Sequence, residues 1–341
     1  MTNIDEYYSH CTLCPRNCGV DRTKNIGYCG MTDRIMIARA DLHFWEEPCI
    51  SGKSGSGAVF FMGCTMGCVF CQNNKIAKSR AEISDANGEK KSGEKEDCQK
   101  LIDIFFALKE KGANNINLVT ADHFIPTVAS AIRRAKEEGF DLPFVFNTSS
   151  YIKADSLKLL DGLIDVYLPD FKYISDKISW DLSGCSDYKK IAKMAIDEMF
   201  RQTGRPVFYM KGDKDTEIKP CDYNDMDEDV LEKNEVLIRR GVIVRHLILP
   251  GHEKDSKELI NMLIDDYGDN IYISIMNQYT PVIEEETARR IGHEELLKKL
   301  NDDAYEEVIG FAIENGIENG FIQDGETCDE SFIPEFDPRG I

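Results

Sequence analysis

AVFFMGCTMGCVFCQNN, residues 58–74, decides how this chain is read. Ala58 to Met62 is an unbroken apolar run with aromatic and β-branched members, the composition of a strand covered on both faces. Gly63 ends the run, and Cys64, Cys68 and Cys71 follow as C-x3-C-x2-C, so one tight loop behind a strand carries three thiols. Three thiolates are one fewer than a cubane iron–sulfur cluster needs to close all its iron sites. A cluster held this way keeps one iron open to a small molecule, which marks the loop as a reaction centre. A zinc site short of one ligand, a disulfide or buried free cysteines are the alternatives the spacing leaves open.

Outward from this loop, short apolar runs alternate with longer amphipathic segments. Strands are predicted near 58–62, 115–119, 143–147, 164–168, 242–249 and 271–277. Helices are predicted near 98–112, 124–138, 154–162, 187–203, 254–267 and 303–315. Six strands alternating with helices imply successive right-handed crossovers and a parallel sheet. Six are too few to close an eight-stranded barrel, so the predicted fold class is α/β, a partial (β/α)6 barrel with a small N-terminal Cys-rich module. The predicted boundaries are 1–50 for the module, 51–285 for the barrel and 286–341 for a C-terminal helix and tail packed on it. Residues 84–98 read as a polar, Gly-containing loop, and 205–234 as an insertion with one hairpin.

Composition narrows the function classes. The 341 residues carry 42% hydrophobic content and a formal charge of −20, so a phosphate backbone is repelled over most of the surface and nucleic acid is not an expected partner. No apolar run approaches the roughly 18 to 20 residues of a membrane span, and MTNIDEYYSH has no signal-peptide pattern, so a cytoplasmic protein is expected. In that compartment 12 cysteines argue for metal sites over disulfides.

Four of them, Cys11, Cys14, Cys18 and Cys29, form a second set, C-x2-C-x3-C-x10-C, within CTLCPRNCGVDRTKNIGYCG. Pro15, Gly19 and Gly30 punctuate two turns that wrap four thiolates around one centre. Four-cysteine sites serve zinc and iron–sulfur clusters alike, so this second metal site is open between them. It either folds the N-terminus or acts as an auxiliary redox or docking site.

The strand ending in Gly-Cys, the C-x3-C-x2-C spacing and the aromatic Phe70 before the last cysteine resemble the radical S-adenosylmethionine (SAM) superfamily. The resemblance implies a [4Fe–4S] cluster on Cys64, Cys68 and Cys71 whose fourth iron chelates SAM. One electron then cleaves the sulfonium to a 5′-deoxyadenosyl radical that abstracts a substrate hydrogen. Further stretches, GYCG, ANNINLVTADHFIP, PFVFNTSSY, DVYLPDFKY, MFRQTG and VIVRHLILPGH, resemble the pyruvate formate-lyase activating enzyme group and its PflX-like branch. By that resemblance Phe70 lies against the adenine, and Asn147, Asp170, Lys172 and Arg245 contact SAM or the cluster side of the cavity. The activases' GGE-type segment is replaced here by Val119-Thr120-Ala121-Asp122-His123, so Thr120 or Asp122 is expected to take over the SAM amino group.

In such barrels ligands gather at the carboxyl ends of the strands, which also draws attention to His123, His246, His252, Glu46 and Glu47. A lone histidine or glutamate there is as readily a structural or solvated group. Cys49 and Cys328 are candidate hydrogen donors or extra ligands, with a buried inert thiol as the plainer role. The expected function is reductive SAM cleavage and hydrogen abstraction, with an electron donor such as flavodoxin or ferredoxin and a substrate that is the backbone glycine of a partner enzyme, another peptide or a small metabolite. A non-catalytic metal-binding protein is the alternative from another class.

Overall fold

A computed structural model describes residues 4–81 and 94–323. The strand that feeds the cysteine loop is not the first of the sheet. Ile37–His43 (β1) precedes it and pairs antiparallel with Ser56–Phe61 (β2), which is buried at every position. Sequence reasoning passed over β1 because IARADLH mixes charge with apolar residues, as an edge strand does.

From β2 the sheet continues in parallel through Ile116–Val119 (β3), Phe144–Thr148 (β4) and Val166–Pro169 (β5). Val207–Met210 (β6) and Asp213–Ile218 (β7) form the expected hairpin, and Val236–Leu247 (β8), Tyr272–Met276 (β9) and Gly320–Ile322 (β10) complete the ten strands among the described residues. The parallel run is β2-β3-β4-β5-β8-β9-β10, with β1 at one edge and β10 at the other, so the barrel is partial and open. The six predicted parallel strands are all present. The predicted helices near 98–112, 124–138, 187–203, 254–267 and 303–315 correspond to Glu94–Glu110, Ile125–Glu137, Tyr188–Thr203, Glu253–Tyr267 and Asp302–Glu314. The segment near 154–162 divides into Ala154–Leu157 and a 3₁₀ turn at Lys158–Leu160.

β8 departs most from its predicted range, beginning at Val236 instead of 242. Its first half pairs antiparallel with β6, and its second half pairs parallel with β5 and β9. Gly241 stands at the change of partner with φ +137, where any Cβ would come within 2.7 Å of Pro206. The pair Arg239-Arg240 beside a glycine reads as a turn in sequence, and only the hairpin next to it makes it strand.

Two apolar clusters divide the work. The larger packs the outer face of the sheet against the helices through residues such as Phe105, Phe144, Phe146, Ile132 and Leu259. The smaller joins Val145, Val166, Leu168 and Ile243 with Cys49, Ile50, Phe208, Ile218 and Tyr223. These strand residues share the face of Asn147, Asp170 and Arg245 by the period-two alternation, so the smaller cluster fills the inside of the barrel below those polar groups. The hairpin and the short turn at Pro48–Ser51 therefore plug one end, and the carboxyl ends of the strands remain for a ligand.

Candidate active site

Strand register assembles the site. Val119 pairs with Asn147, Asn147 with Leu168, Thr148 with Pro169, Asp170 bridges Arg245, and Arg245 pairs with Ser274. One row of side chains across the carboxyl ends thus brings together residues separated by more than a hundred positions. A cavity of about 390 Å³ opens above that row. Its volume falls within the range of cofactor and small-molecule sites.

Cys64, Cys68 and Cys71 stand on its wall, together with Phe70, Thr120, Asn147, Asp170, Lys172 and Arg245. The cysteine loop is shaped by its own backbone: the Met66 amide donates to Cys64 Sγ at 3.3 Å, the Cys71 amide to Cys68 O at 3.3 Å, and Gly67 takes φ +76. All three are free thiols, without a disulfide. Among the described residues, only His252, His293 and Glu295 bring three ligand atoms within 4.8 Å of one another. Burial pushes Cys64 up to about 11 and Cys71 up to about 12, so a metal binding there would have to displace their protons.

Arg245 organises the polar wall. Its Nε donates to Asp170 Oδ1 at 3.0 Å, Nη1 to Glu46 Oε2 at 2.9 Å and Nη2 to Asn147 Oδ1 at 2.6 Å. Asn117 Nδ2 donates to the other Glu46 oxygen at 2.9 Å, and Lys172 Nζ to Asp170 Oδ2 at 2.7 Å. Burial alone would raise the Asp170 carboxyl, but the Lys172 and Arg245 charges outweigh it and hold it below the ordinary range. Glu46, which sequence left between cavity and solvent, belongs to the wall. Its neighbour Glu47 lines the cavity with Oε2 buried and unpartnered among the described residues, and burial raises its carboxyl.

Thr120 is held at φ +61, a left-handed conformation that costs a β-branched residue on the order of 1–3 kcal/mol, and its amide donates to Asn147 O at 2.9 Å. Asp122 lies one layer behind: its Oδ1 accepts from Thr148 Oγ1, Oδ2 has no partner among the described residues, and burial raises the carboxyl to about 6. Of the two replacements expected for the activases' glycine segment, Thr120 is therefore on the cavity wall and Asp122 is behind Thr148.

The histidines sort clearly. His123 Nε2 donates to Met62 O at 2.8 Å, and burial lowers the ring to about 3. His246 donates from Nδ1 to Phe171 O at 2.7 Å and accepts at Nε2 from Ser256 Oγ at 2.8 Å, with the ring lowered to about 4 by burial. Both are neutral braces beneath the surface. His252 sits 3.3 Å from Glu295 beside His293, away from the cavity wall. Cys49 is buried in the barrel-filling cluster, the plainer of its two roles. Cys328 lies outside the described residues, as do residues 84–93 of the polar loop.

Residues that sequence reasoning missed are Trp45, which is 58% exposed on the rim, and Gln72, whose Nε2 donates to Gln278 O at 2.7 Å, whereas Ser149, at a strand end, presents a buried Oγ unpartnered among the described residues. Arg16 and Arg22 were also missed. Arg16 reaches from the N-terminal module to the carbonyls of Thr65 and Met66, both at 3.0 Å, inside the cysteine loop. A signal existed for both in retrospect: arginines set among cysteines in a strongly acidic chain.

A family model described as the radical SAM superfamily matches residues 58–263. An uncharacterized protein of Methanocaldococcus jannaschii is 26% identical over 298 residues, covering 86% of this chain and 74% of that protein. Among solved structures, Streptococcus suis SuiB bound to precursor peptide SuiA aligns over 78% of this chain and 48% of its own at 13% identity, with a TM-score of 0.41. A domain of pyruvate-formate lyase-activating enzyme from Bacteroides vulgatus aligns over 59% of this chain and 91% of that domain at 9% identity, with a TM-score of 0.33. The chain matches about half the length of SuiB. No helix among the described residues is long and apolar enough to cross a membrane.

Proposed function

Because this chain belongs to the radical SAM superfamily, whose cofactors are a [4Fe–4S] cluster and SAM, we propose that it cleaves SAM reductively and abstracts hydrogen from a peptide segment, in the manner of an activating enzyme. The observation that carries the reading is the meeting of three free thiols and the Arg245 network on one cavity wall at the carboxyl ends of the parallel strands. The residues fit the cofactors: the thiols supply three iron ligands, and Glu47 Oε2 and Ser149 Oγ are buried polar atoms facing the cavity without partners among the described residues.

When bound, the cluster and SAM together supply the 5′-deoxyadenosyl radical. Cys64, Cys68 and Cys71 would hold the iron. Glu47 and Thr120 would accept from the SAM ammonium, and Arg245, already fixed by Glu46, Asp170 and Asn147, would take its carboxylate. Phe70, braced edge-on by Tyr173 at 6.2 Å, offers an apolar face to the adenine. Lys172 sits between Asp170 and the thiolates and compensates their charge. Trp45 and Ile322, both exposed at the rim, give a passing peptide apolar contact, and a backbone glycine of a partner enzyme is the substrate that an open rim admits. A flavodoxin- or ferredoxin-type protein supplies the electron.

Anaerobically reconstituted chain, reduced and given SAM, is expected to form 5′-deoxyadenosine, and deuterium from a labelled glycyl peptide is expected in it. Absence of 5′-deoxyadenosine sinks the reading, while its formation with label drawn only from small metabolites moves the substrate class.

A further inference from the structure

Away from the cavity wall, the fold brings together two imidazoles and two carboxylates that the chemistry above does not use. We propose that His252, His293 and Glu295 bind a zinc ion that staples the C-terminal segment to the barrel. The proposal does not rest on the function above, since no residue assigned there to iron or SAM belongs to this set.

Two distant segments supply the ligands. His252 closes the loop after β8 and precedes the helix Glu253–Tyr267, with its amide donating to Leu249 O at 3.0 Å. His293 follows Gly292, the left-handed cap of the helix Glu285–Ile291, and its amide donates to Ala288 O at 2.9 Å. Glu295 lies in the 3₁₀ turn Glu294–Leu297. Gly251 lets the segments meet: its φ is +78, and a Cβ there would come within 2.7 Å of the Glu295 side chain. One ligand atom from each of the three residues lies within 4.8 Å of the other two, and Glu295 Oε1 is 3.3 Å from His252 Nε2 and 2.9 Å from His293 Nδ1. Zinc with nitrogen and oxygen bonds of about 2.0–2.1 Å at tetrahedral angles sets its ligand atoms about 3.3 Å apart, close to both of these pairs. His252 Nε2 is moreover buried and makes no hydrogen bond among the described residues. A metal bond satisfies a ring nitrogen that is otherwise desolvated without a partner.

The far side of His293 is built as metal-bound histidines are. Its Nε2 donates to Asp181 Oδ2 at 3.3 Å, on the helix Asp176–Ser183, and Asp181 is itself paired with Lys177. A carboxylate on the far nitrogen fixes the tautomer, so that Nδ1 presents its lone pair to the ion, and it strengthens that lone pair. With both imidazoles neutral, Glu295 and Asp181 balance the two charges of the metal. Two imidazoles and one carboxylate suit zinc, whereas magnesium and calcium call for oxygen ligands throughout. The Glu295 side chain is 35% exposed, which gives the ion a path from solvent and a water its fourth position.

The surroundings say what such an ion holds in place. Leu182, the neighbour of Asp181, accepts at its carbonyl from the Val69 amide at 2.9 Å, inside the cysteine loop. Leu296, the neighbour of Glu295, accepts at its carbonyl from Tyr279 Oη at 2.6 Å, and the Tyr279 ring packs on Phe70 with centroids 6.3 Å apart. The staple thus joins the segment 292–297 to the loop after β8 and, through Asp181, to the helix that backs the cysteine loop.

The test is a difference measurement on the full-length chain, so that metal held by the cysteines cancels. Wild type and a variant carrying His252→Gln and His293→Gln are incubated with excess zinc and freed of loose metal by gel filtration. They are expected to differ by about one zinc per chain. Equal zinc content overturns the proposal and leaves a hydrogen-bonded cluster of histidines and carboxylates. Should the double variant misfold, Glu295→Gln, at a part-exposed position, replaces it under the same criterion. With cobalt(II) in place of zinc, the wild-type minus variant spectrum is expected to show visible bands without thiolate charge transfer. Thiolate bands in that difference overturn the ligand assignment. Asp181→Asn keeps all three ligands and is expected to weaken zinc binding by about 10- to 100-fold. Unchanged affinity refutes the arrangement of carboxylate, histidine and metal.

Discussion

The two cysteine sets use the same ligand type in opposite settings. Cys64, Cys68 and Cys71 hang from the end of a parallel strand, face a cavity of about 390 Å³ and share its wall with Arg245, Lys172 and Asp170. Cys11, Cys14, Cys18 and Cys29 are wrapped by turns, braced by Arg22 and pressed against the back of the other loop. One set faces open space, and the other is enclosed by its own turns. Cysteine count alone does not separate an open site from an enclosed one. What separates them is whether the fold places open space or packed backbone beside the sulfurs.

Breaking the open set is expected to have the largest effect. Cys68→Ala should abolish 5′-deoxyadenosine formation while leaving the chain folded, read by product analysis and circular dichroism. If product formation persists, the ligand assignment is wrong. Arg245→Met removes the hub that Glu46, Asp170 and Asn147 share, leaving Asp170 with Lys172 alone and the buried Glu46 carboxylate without its cation. Loss of one partner from a buried pair costs about 3–5 kcal/mol, so the denaturant midpoint should fall accordingly along with SAM affinity. A midpoint that does not move would show the network to be solvated.

Asp122 sits on the seam between the sets, its side chain bonded to Thr148 on the cavity side and the carbonyl of the next residue, His123, gripped by Arg22. Its folded carboxyl is raised from 3.8 to about 6 by burial, so the folded chain holds a proton that the unfolded chain has released across that window. The contribution to stability is therefore present below about pH 4 and lost as pH rises to 6. Each tenfold in proton affinity is worth about 1.4 kcal/mol, which places the loss near 3 kcal/mol. Asp122→Asn should flatten the fall in stability between pH 4 and 6, as measured by urea unfolding across that range. An unaltered slope would mean that the carboxyl is not buried as described. The smallest effect is expected at the rim: Trp45→Ala should leave stability within about 0.5 kcal/mol while weakening a peptide substrate several-fold in KM. Equal KM for both proteins would remove Trp45 from the substrate path.

Legibility in the sequence followed the range of the interactions. The parallel strands were readable because burial on both faces leaves runs such as AVFF, INLV and PFVF with no polar interruption. β1, with its alternating charges, and the first half of β8, with Arg239-Arg240-Gly241, were not readable, because each becomes a strand only through its neighbour. Among site residues, the cysteines announced themselves by spacing, and Asn147, Asp170, Lys172 and Arg245 by resemblance and by position at strand ends. Trp45 gave no such signal, and Glu47 was readable only as a cavity or solvated group, since their place on the wall depends on how β1 and the turn at Pro48 fold back over the barrel.

The residues alone determined that this chain carries a three-thiol loop at a strand end, a second four-thiol set and an open parallel barrel, because spacing and hydrophobic period are local properties of a polymer. Tertiary structure alone decided that the two sets share a hydrogen bond between Cys29 and Cys64, that Arg22 is buried against the carbonyl of His123 and that Arg245 joins three distant segments. Those contacts span separations of 35 to nearly 200 positions, and no local pattern encodes which partners the sheet register and the burial of charge will bring together.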